Sequence, residues 1–224
     1  MSKSGFHTAF LDTLPVLTGY LVLGMGFGVI MHANGYGIWY ALAMSVFIYA
    51  GSMQYAAIGL FTGGASLLTT ALTTLAVNAR HLFYGISMLG EYRGSGAWKP
   101  YLIFSLTDET YSLVCSGGKS RSYQIMVSLL DHIYWVSGTL LGALLGGILP
   151  INTKGIDFAL TALFLTVFTE QWCSSKNHFS ALTGVLVSVI SLILFGSERF
   201  LIPAMAGITA VLLLKREVEK RHER

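Results

Sequence analysis

The chain is a succession of apolar runs of membrane-crossing length with little charge between them. They cover residues 9–31, 37–61, 67–89, 123–149, 156–172, 179–195 and 200–214. About 20 helical residues cross a hydrocarbon core roughly 30 Å thick. Within lipid the backbone must satisfy its own hydrogen bonds, and nothing suggests a barrel, so each run reads as a helix. Only 11% of the 224 residues are charged and 54% are hydrophobic, whereas soluble domains carry about 25% charge. These observations predict an all-α integral membrane protein with about seven transmembrane helices, forming a single membrane domain over 1–224. A further run, 101–114, holds Thr107-Asp-Glu-Thr110 at its centre. It fits a short span, a re-entrant element or an interfacial helix.

Charge placement orients the spans. Five of the fourteen Lys and Arg residues lie within 215–224. A basic segment beside an apolar run reads as a cytoplasmic tail under the positive-inside rule, so the net charge of +3 does not imply nucleic-acid binding. If 101–114 does not cross, the N-terminus lies outside and the C-terminus in the cytoplasm. Arg93, Lys99, Lys119, Arg121 and Lys176 are then cytoplasmic, leaving Lys3, Lys154 and Arg199 outside. If it crosses, there are eight spans with both ends cytoplasmic. The rule favours seven by one residue. The first run is too long for a signal-peptide core and lacks an A-x-A-like exit, so it is expected to remain a span.

The sequence also resembles itself. At an offset of 118, Gly24, Gly28, Ile30, Asn34, Gly37, Ile38, Ala41 and Leu42 meet identical residues at 142, 146, 148, 152, 155, 156, 159 and 160. Repeat halves are therefore expected at about 9–91 and 123–214. Seven spans place three before the second half, which makes an inverted repeat with broken helices, an arrangement typical of secondary transporters. Gly138, Gly142 and Gly146, with Gly24 and Gly28, form small-residue stripes suited to close helix packing.

Asn78-Ala-Arg-His81 is the strongest functional signal. Arginine at membrane depth costs roughly 2.5–3.5 kcal/mol on insertion scales, so Arg80 is expected to face a protein interior or a water-filled path. Its fork matches a carboxylate. A helix break near Asn78 and His81 would free backbone groups for a ligand. Pairing with an intramembrane Asp purely for assembly is the competing reading. Gly51 and Ser52 permit a second break, and Gln54 supplies a donor and an acceptor. Glu170 and Gln171 sit at the repeat-equivalent place. These eight residues are the candidate substrate-binding set. Asp108, Glu109, Asp131 and Asp12 are proton-coupling candidates. Asp12 and Asp131, the latter beside His132, also read as helix caps, and Asp108 and Glu109 as solvated interfacial groups.

Enzyme signatures do not emerge. There is no G-x-S-x-G or H-E-x-x-H, and Gly117-Gly-Lys-Ser120 lacks the first glycine of a P-loop. Cys115 and Cys173 form neither a CxxC pair nor a metal spacing. No cofactor and no metal are expected.

Several segments together resemble the AzlC-type branched-chain amino acid permeases, the azaleucine-resistance or LIV-E exporter family. They are Tyr49-Ala-Gly-Ser-Met-Gln54, Val77-Asn-Ala-Arg-His-Leu-Phe-Tyr-Gly85, Thr107-Asp-Glu109 with Tyr111, Gly155-Ile-Asp-Phe-Ala-Leu-Thr-Ala-Leu-Phe164 and Glu170-Gln-Trp172. The resemblance implies export of Leu, Ile, Val and, in relatives, Met across the bacterial inner membrane. It also implies a small hydrophobic AzlD-type membrane subunit as partner. The residues themselves point only to a transporter, with a non-transporting membrane scaffold or an intramembrane enzyme as rivals.

Overall fold

The computed structural model describes residues 3–115, 117–148, 177–196 and 200–222, with single positions 158, 161, 165, 168, 169, 172 and 173 between. Its helices are α1 (Lys3–Ala33), α2 (Ile38–Phe47), α3 (Gly51–Thr62), α4 (Leu67–Val77), α5 (Ala79–Ser87), α6 (Lys99–Phe104), α7 (Asp108–Val114), α8 (Arg121–Ile148), α9 (Phe179–Phe195) and α10 (Leu201–His222). No strand occurs among the described residues. Contacts group residues 1–160 and 161–224 into two units.

The first unit is built on α1 and α8, both long and apolar enough to cross a membrane. Their backbones touch because glycines face each other. A Cβ on Gly24 would sit 2.9 Å from the Trp135 carbonyl, and one on Gly138 would sit 2.8 Å from that of Tyr20. A Cβ on Gly28 or Gly142 would overlap the carbonyls of Thr139 or Met25. The expected glycine stripes are thus the seam of this pair.

The two helices run parallel. Gly24 lies opposite 135–139, Gly28 opposite 139–143 and Gly146 opposite Val29 and His32. An inversion at offset 118 would set them antiparallel, so the expected inverted relation between these two helices is corrected here. Most of 149–176, including most of the expected span 156–172, lies outside the described residues.

The second apolar run is not a span. The Tyr36 and Phe61 rings meet at 5.8 Å, while Gln54 Nε2 donates to Ser45 Oγ at 3.0 Å. Residues 36 and 61 pair at one end and 45 and 54 near the other, so α2 and α3 form an antiparallel hairpin. Limbs of 10 and 12 residues are about 15 and 18 Å long, too short to cross. The tip is Ile48–Tyr49–Ala50. Tyr49 takes φ 47°, a left-handed conformation costly for a non-glycine residue. Its ring is held by His132 at 4.2 Å and Phe104 at 6.1 Å.

The run 67–89 traverses the unit as α4 and α5, interrupted at Asn78 (φ −94°, ψ 5°). It ends where Met88 and Tyr92 join Ala9, Tyr123 and Val127 in a buried cluster, at the starting end of α1 and α8. The run 101–114 resolves as re-entrant. Arg121 donates to the carbonyls of Arg93, at 3.0 Å, and Gly94. The chain therefore leaves near residue 94 and returns near 121 at the same end. Between them α6 rises and α7 descends around a bend at Ser105–Thr107. Two hairpins thus enter from opposite ends, and their tips meet where Tyr49 contacts Phe104.

In the second unit α9 and α10 pack antiparallel. The Lys215 ammonium lies 4.1 Å from the Phe179 ring centre, and a Cβ on Gly207 would meet Val187 Cγ1 at 2.8 Å. The segment expected as a tail continues α10 helically to His222.

Polarity runs inside out. Leu67 is 90% exposed and Phe47 77%, whereas Ser45, Gln54, Asp131 and Thr139 are 0% exposed. Such a surface suits lipid rather than water as the surrounding solvent.

Two outcomes follow for the fold. In a Cys115→Ser, Cys173→Ser background, Gly35→Cys and Gly64→Cys should react with an impermeant thiol reagent from one membrane face, and Gly94→Cys and Lys119→Cys from the other; labelling of 35 and 64 from opposite faces would refute the first hairpin. Gly28→Ala should cost about 1–3 kcal/mol by forcing the backbones apart, read as a lowered Tm. Gly19→Ala, where a Cβ meets nothing within 4 Å, should leave Tm unchanged.

Candidate functional site

Three interruptions converge on one side chain. Arg80, in the first turn of α5, sends Nη1 to Asp108 Oδ2 at 2.6 Å and Nη2 to Ser52 Oγ at 2.8 Å. Ser52 lies in the first turn of α3, just past the first hairpin tip. Asp108 opens α7, just past the second, whose cap is the Thr107 hydroxyl accepting from the Thr110 N–H at 3.3 Å. The arginine therefore joins a crossing helix to both hairpins.

The pair is not sealed, since the Arg80 and Asp108 side chains are 30% and 24% exposed. Asp108 Oδ1 accepts from the Tyr84 hydroxyl at 2.6 Å, and Tyr84 stacks on Tyr111 at 4.4 Å. His81 Nδ1 lies 3.2 Å from the Asn78 carbonyl with its ring edge-on to Tyr84. Asn78 Oδ1 is buried without a hydrogen-bond partner among the described residues. Neither α3 nor α5 has a side-chain cap, and in the first turn of α5 the His81 N–H donates to the Asn78 carbonyl at 2.9 Å. The two helix dipoles add partial positive charge beside Arg80. Chemically the place offers a cation, an anion and two helix N-termini at a junction of broken helices.

The structure does not gather every expected residue here. Of the 51–54 motif only Ser52 reaches Arg80. The expected unwinding at Gly51 and Ser52 is corrected: the break falls at 48–50, and Gly51 is needed because a Cβ there would meet the Trp135 ring at 2.8 Å. Gln54 is fully buried in a separate network. Its Oε1 accepts from Trp135 Nε1 at 3.0 Å and its amide donates to Ser45, which pairs with Thr139 at 2.8 Å. These bonds tie α2, α3 and α8 together. Glu170 and Gln171 lie outside the described residues.

Asp12 and Asp131 are corrected from helix caps to mid-helix residues of α1 and α8. Asp12 accepts from the Tyr123 hydroxyl at 2.7 Å, and Asp131 from Thr110 at 2.7 Å. Glu109 is within 2.7 Å of the Tyr20 hydroxyl. It is therefore hydrogen-bonded inside the fold and not an interfacial, solvated acid. Sequence reasoning missed Tyr20, Tyr49 and Tyr84. Tyr49 and Tyr84 stand inside the family-like segments without being singled out, and Tyr20 shows only a hydroxyl inside an apolar run.

The AzlC family, described as AzlC protein, matches residues 15–149. The chain is 44% identical over 223 residues, 97% of its length and 88% of the relative's, to the branched-chain amino acid transport protein AzlC of Bacillus subtilis. It is 39% identical over 220 residues, 96% of each chain, to an uncharacterized membrane protein of Helicobacter pylori. It is 29% identical over 211 residues, 88% of its length and 84% of the relative's, to the inner membrane protein YgaZ of Escherichia coli. No solved structure matches. With more than half of its length matched by the family and a 44% identical relative, the chain belongs to the AzlC family of membrane proteins.

Proposed function

We propose that this chain is a secondary transporter that exports branched-chain amino acids across the bacterial inner membrane together with a small AzlD-type subunit. The observation that carries the reading is the partly exposed Arg80–Asp108 pair at the junction of three helix breaks. The name of the Bacillus subtilis relative supplies the substrate class.

A zwitterion is the complement of an ion pair. Arg80 would take its carboxylate and Asp108 its ammonium, so one salt bridge is exchanged for two. Without cargo the two side chains close on each other, which keeps a charged path from standing open. Parting two opposite charges inside an apolar fold without replacement is costly, so opening is tied to loading. Asn78, His81 and the α3 and α5 N-termini add donors for the carboxylate. One methylene of an aliphatic tail discriminates by only about 1–3 kcal/mol. Leu, Ile, Val and Met should all pass.

The hairpins also support a different orientation. Lys3, Arg93, Lys99, Lys119 and Arg121 belong to the end where α1 and α8 begin, while residues 4–79 and 122–148 contain no Lys or Arg. The positive-inside rule then favours a cytoplasmic N-terminus, whereas seven simple spans would put it outside. The C-terminal segment 215–224 is assigned to the same side. Crossing helix and hairpin occur as α1 with α2–α3, and again as α4–α5 with α6–α7 in the opposite direction. We assign the transporter-type inversion to these two helix-plus-hairpin elements, and a parallel relation to α1 and α8.

Counterflow of labelled valine in liposomes, with and without the small subunit, tests the reading. Arg80→Lys and Asp108→Asn should each lower counterflow about 10–100-fold, the effect of losing a charged hydrogen bond of about 1.5–3 kcal/mol. The neutral pair Arg80→Gln with Asp108→Asn should fold yet fail to transport. Wild-type counterflow in that double variant would reduce the pair to an assembly contact. No flux from the unmodified complex would favour a scaffold.

A further inference from the structure

Beside the Arg80 pair, a line of oxygens joins two acids that no salt bridge among the described residues engages. Glu109 Oε2 is 2.7 Å from the Tyr20 hydroxyl. Tyr20 is 2.7 Å from Thr107 Oγ1, Thr107 is 3.1 Å from Thr110 Oγ1, and Thr110 is 2.7 Å from Asp131 Oδ2. The intermediates are buried: Tyr20 is 5% exposed, Thr107 9% and Thr110 0%. Asp131 is 0% exposed, whereas Glu109 is only partly buried.

Proton counting makes the line informative. Four oxygen–oxygen contacts of hydrogen-bond length require four protons, but three hydroxyls supply three. With one proton to each contact, the fourth sits on one of the carboxyls. With it on Glu109, every bond points toward Asp131: Glu109 donates to Tyr20, Tyr20 to Thr107, Thr107 to Thr110 and Thr110 to Asp131. With it on Asp131, every bond points back. The two arrangements differ by one proton moved from end to end.

We propose that Glu109, Tyr20, Thr107, Thr110 and Asp131 form a proton relay that carries the coupling proton between the partly exposed acid and the buried one. Each hydroxyl gives its own proton forward as it receives one from behind. Glu109 goes from acid to carboxylate, Asp131 goes from carboxylate to acid, and the three hydroxyls end unchanged but reoriented. Asp131 Oδ1 is buried without a described hydrogen-bond partner. The arriving proton sits on Oδ2, which then donates back to Thr110. The ionisable groups facing Glu109 are Asp108, Arg80, Tyr20 and Tyr49. Those facing Asp131 are Glu109, Tyr49, Tyr101 and Tyr123, with His132 next to it on α8. Asp131 has no cationic partner among the described residues. The relay sits one residue from Asp108, so α7 carries an element of the proposed cargo site and the relay's entry side by side. As a coupling device it rests on the transport reading; as a proton path it does not.

The test is a pH jump on the full chain in lipid nanodiscs, with the carboxyl bands of Glu109 and Asp131 assigned by Glu109→Gln and Asp131→Asn and followed by rapid-scan infrared spectroscopy. In the unmodified protein the two bands should respond together. In Tyr20→Phe and Thr110→Val the Asp131 band should lag by about tenfold or more, with Glu109 unaffected. Thr110→Ser, which restores only the hydroxyl, should remove the lag. The Tyr20 ring is braced edge-on by Trp135 at 5.4 Å, so Tyr20→Phe deletes one oxygen without emptying its place. An Asp131 response at the unmodified rate in both variants, or a lag that Thr110→Ser does not relieve, overturns the relay. This readout needs no cargo, so it stands apart from a failure of the transport reading. Linkage to transport is read separately: Tyr20→Phe should lose flux driven by a pH gradient while retaining counterflow.

Discussion

One ion pair organises the first unit. Arg80 and Asp108 meet at 2.6 Å, and around them three helices stop. A guanidinium in a hydrocarbon environment must be compensated, and the compensation comes from the bends themselves. Ser52 and Asp108 reach it only because α3 and α7 begin there. Straight helices across 37–61 and 101–114 would not start fresh turns beside Arg80. The breaks, the hairpins and the charge are therefore one arrangement.

Much of this was legible in the residues. The apolar runs announced a helical membrane protein, Asn78-Ala-Arg-His81 marked the break in the third run, and the glycine stripes marked the α1–α8 seam. The reversal at 48–50 was hidden, because hydropathy cannot distinguish one long helix from two short antiparallel ones. Its turn is made by Tyr49, a residue with no turn preference, held by His132 and Phe104 from distant parts of the chain. Gly51 looked like a point of flexibility and is a place where Trp135 leaves no room. Asp12 and Asp131 looked like caps because each stands early in an apolar run, yet both lie well inside α1 and α8. The parallel course of α1 and α8 was obscured by a repeat that is equally visible in either orientation.

The interior is organised by hydroxyl and amide groups more than by charge. Gln54, Ser45, Thr139 and Trp135 tie the first hairpin to α8. Tyr20, Thr107 and Thr110 tie the second to α1 and α8. Both sets satisfy polar groups that lipid would leave bare. Such contacts across transmembrane helices are individually modest, about 0.6 kcal/mol on average where measured. A hairpin held by a few of them can shift without unfolding the α1–α8 seam. That combination of a close-packed glycine core and lightly held hairpins suits a protein whose work is to open toward one face at a time.

The central claim is that cargo replaces Asp108 at Arg80. Solid-state NMR on the chain in lipid, with valine carrying carbon-13 at its carboxyl and nitrogen-15 in the arginine side chains, measures this contact directly. The account predicts strong dipolar dephasing between the valine carboxyl and an arginine guanidinium, lost in Arg80→Lys. Bound valine with no such dephasing, or dephasing that persists in Arg80→Lys, would contradict it.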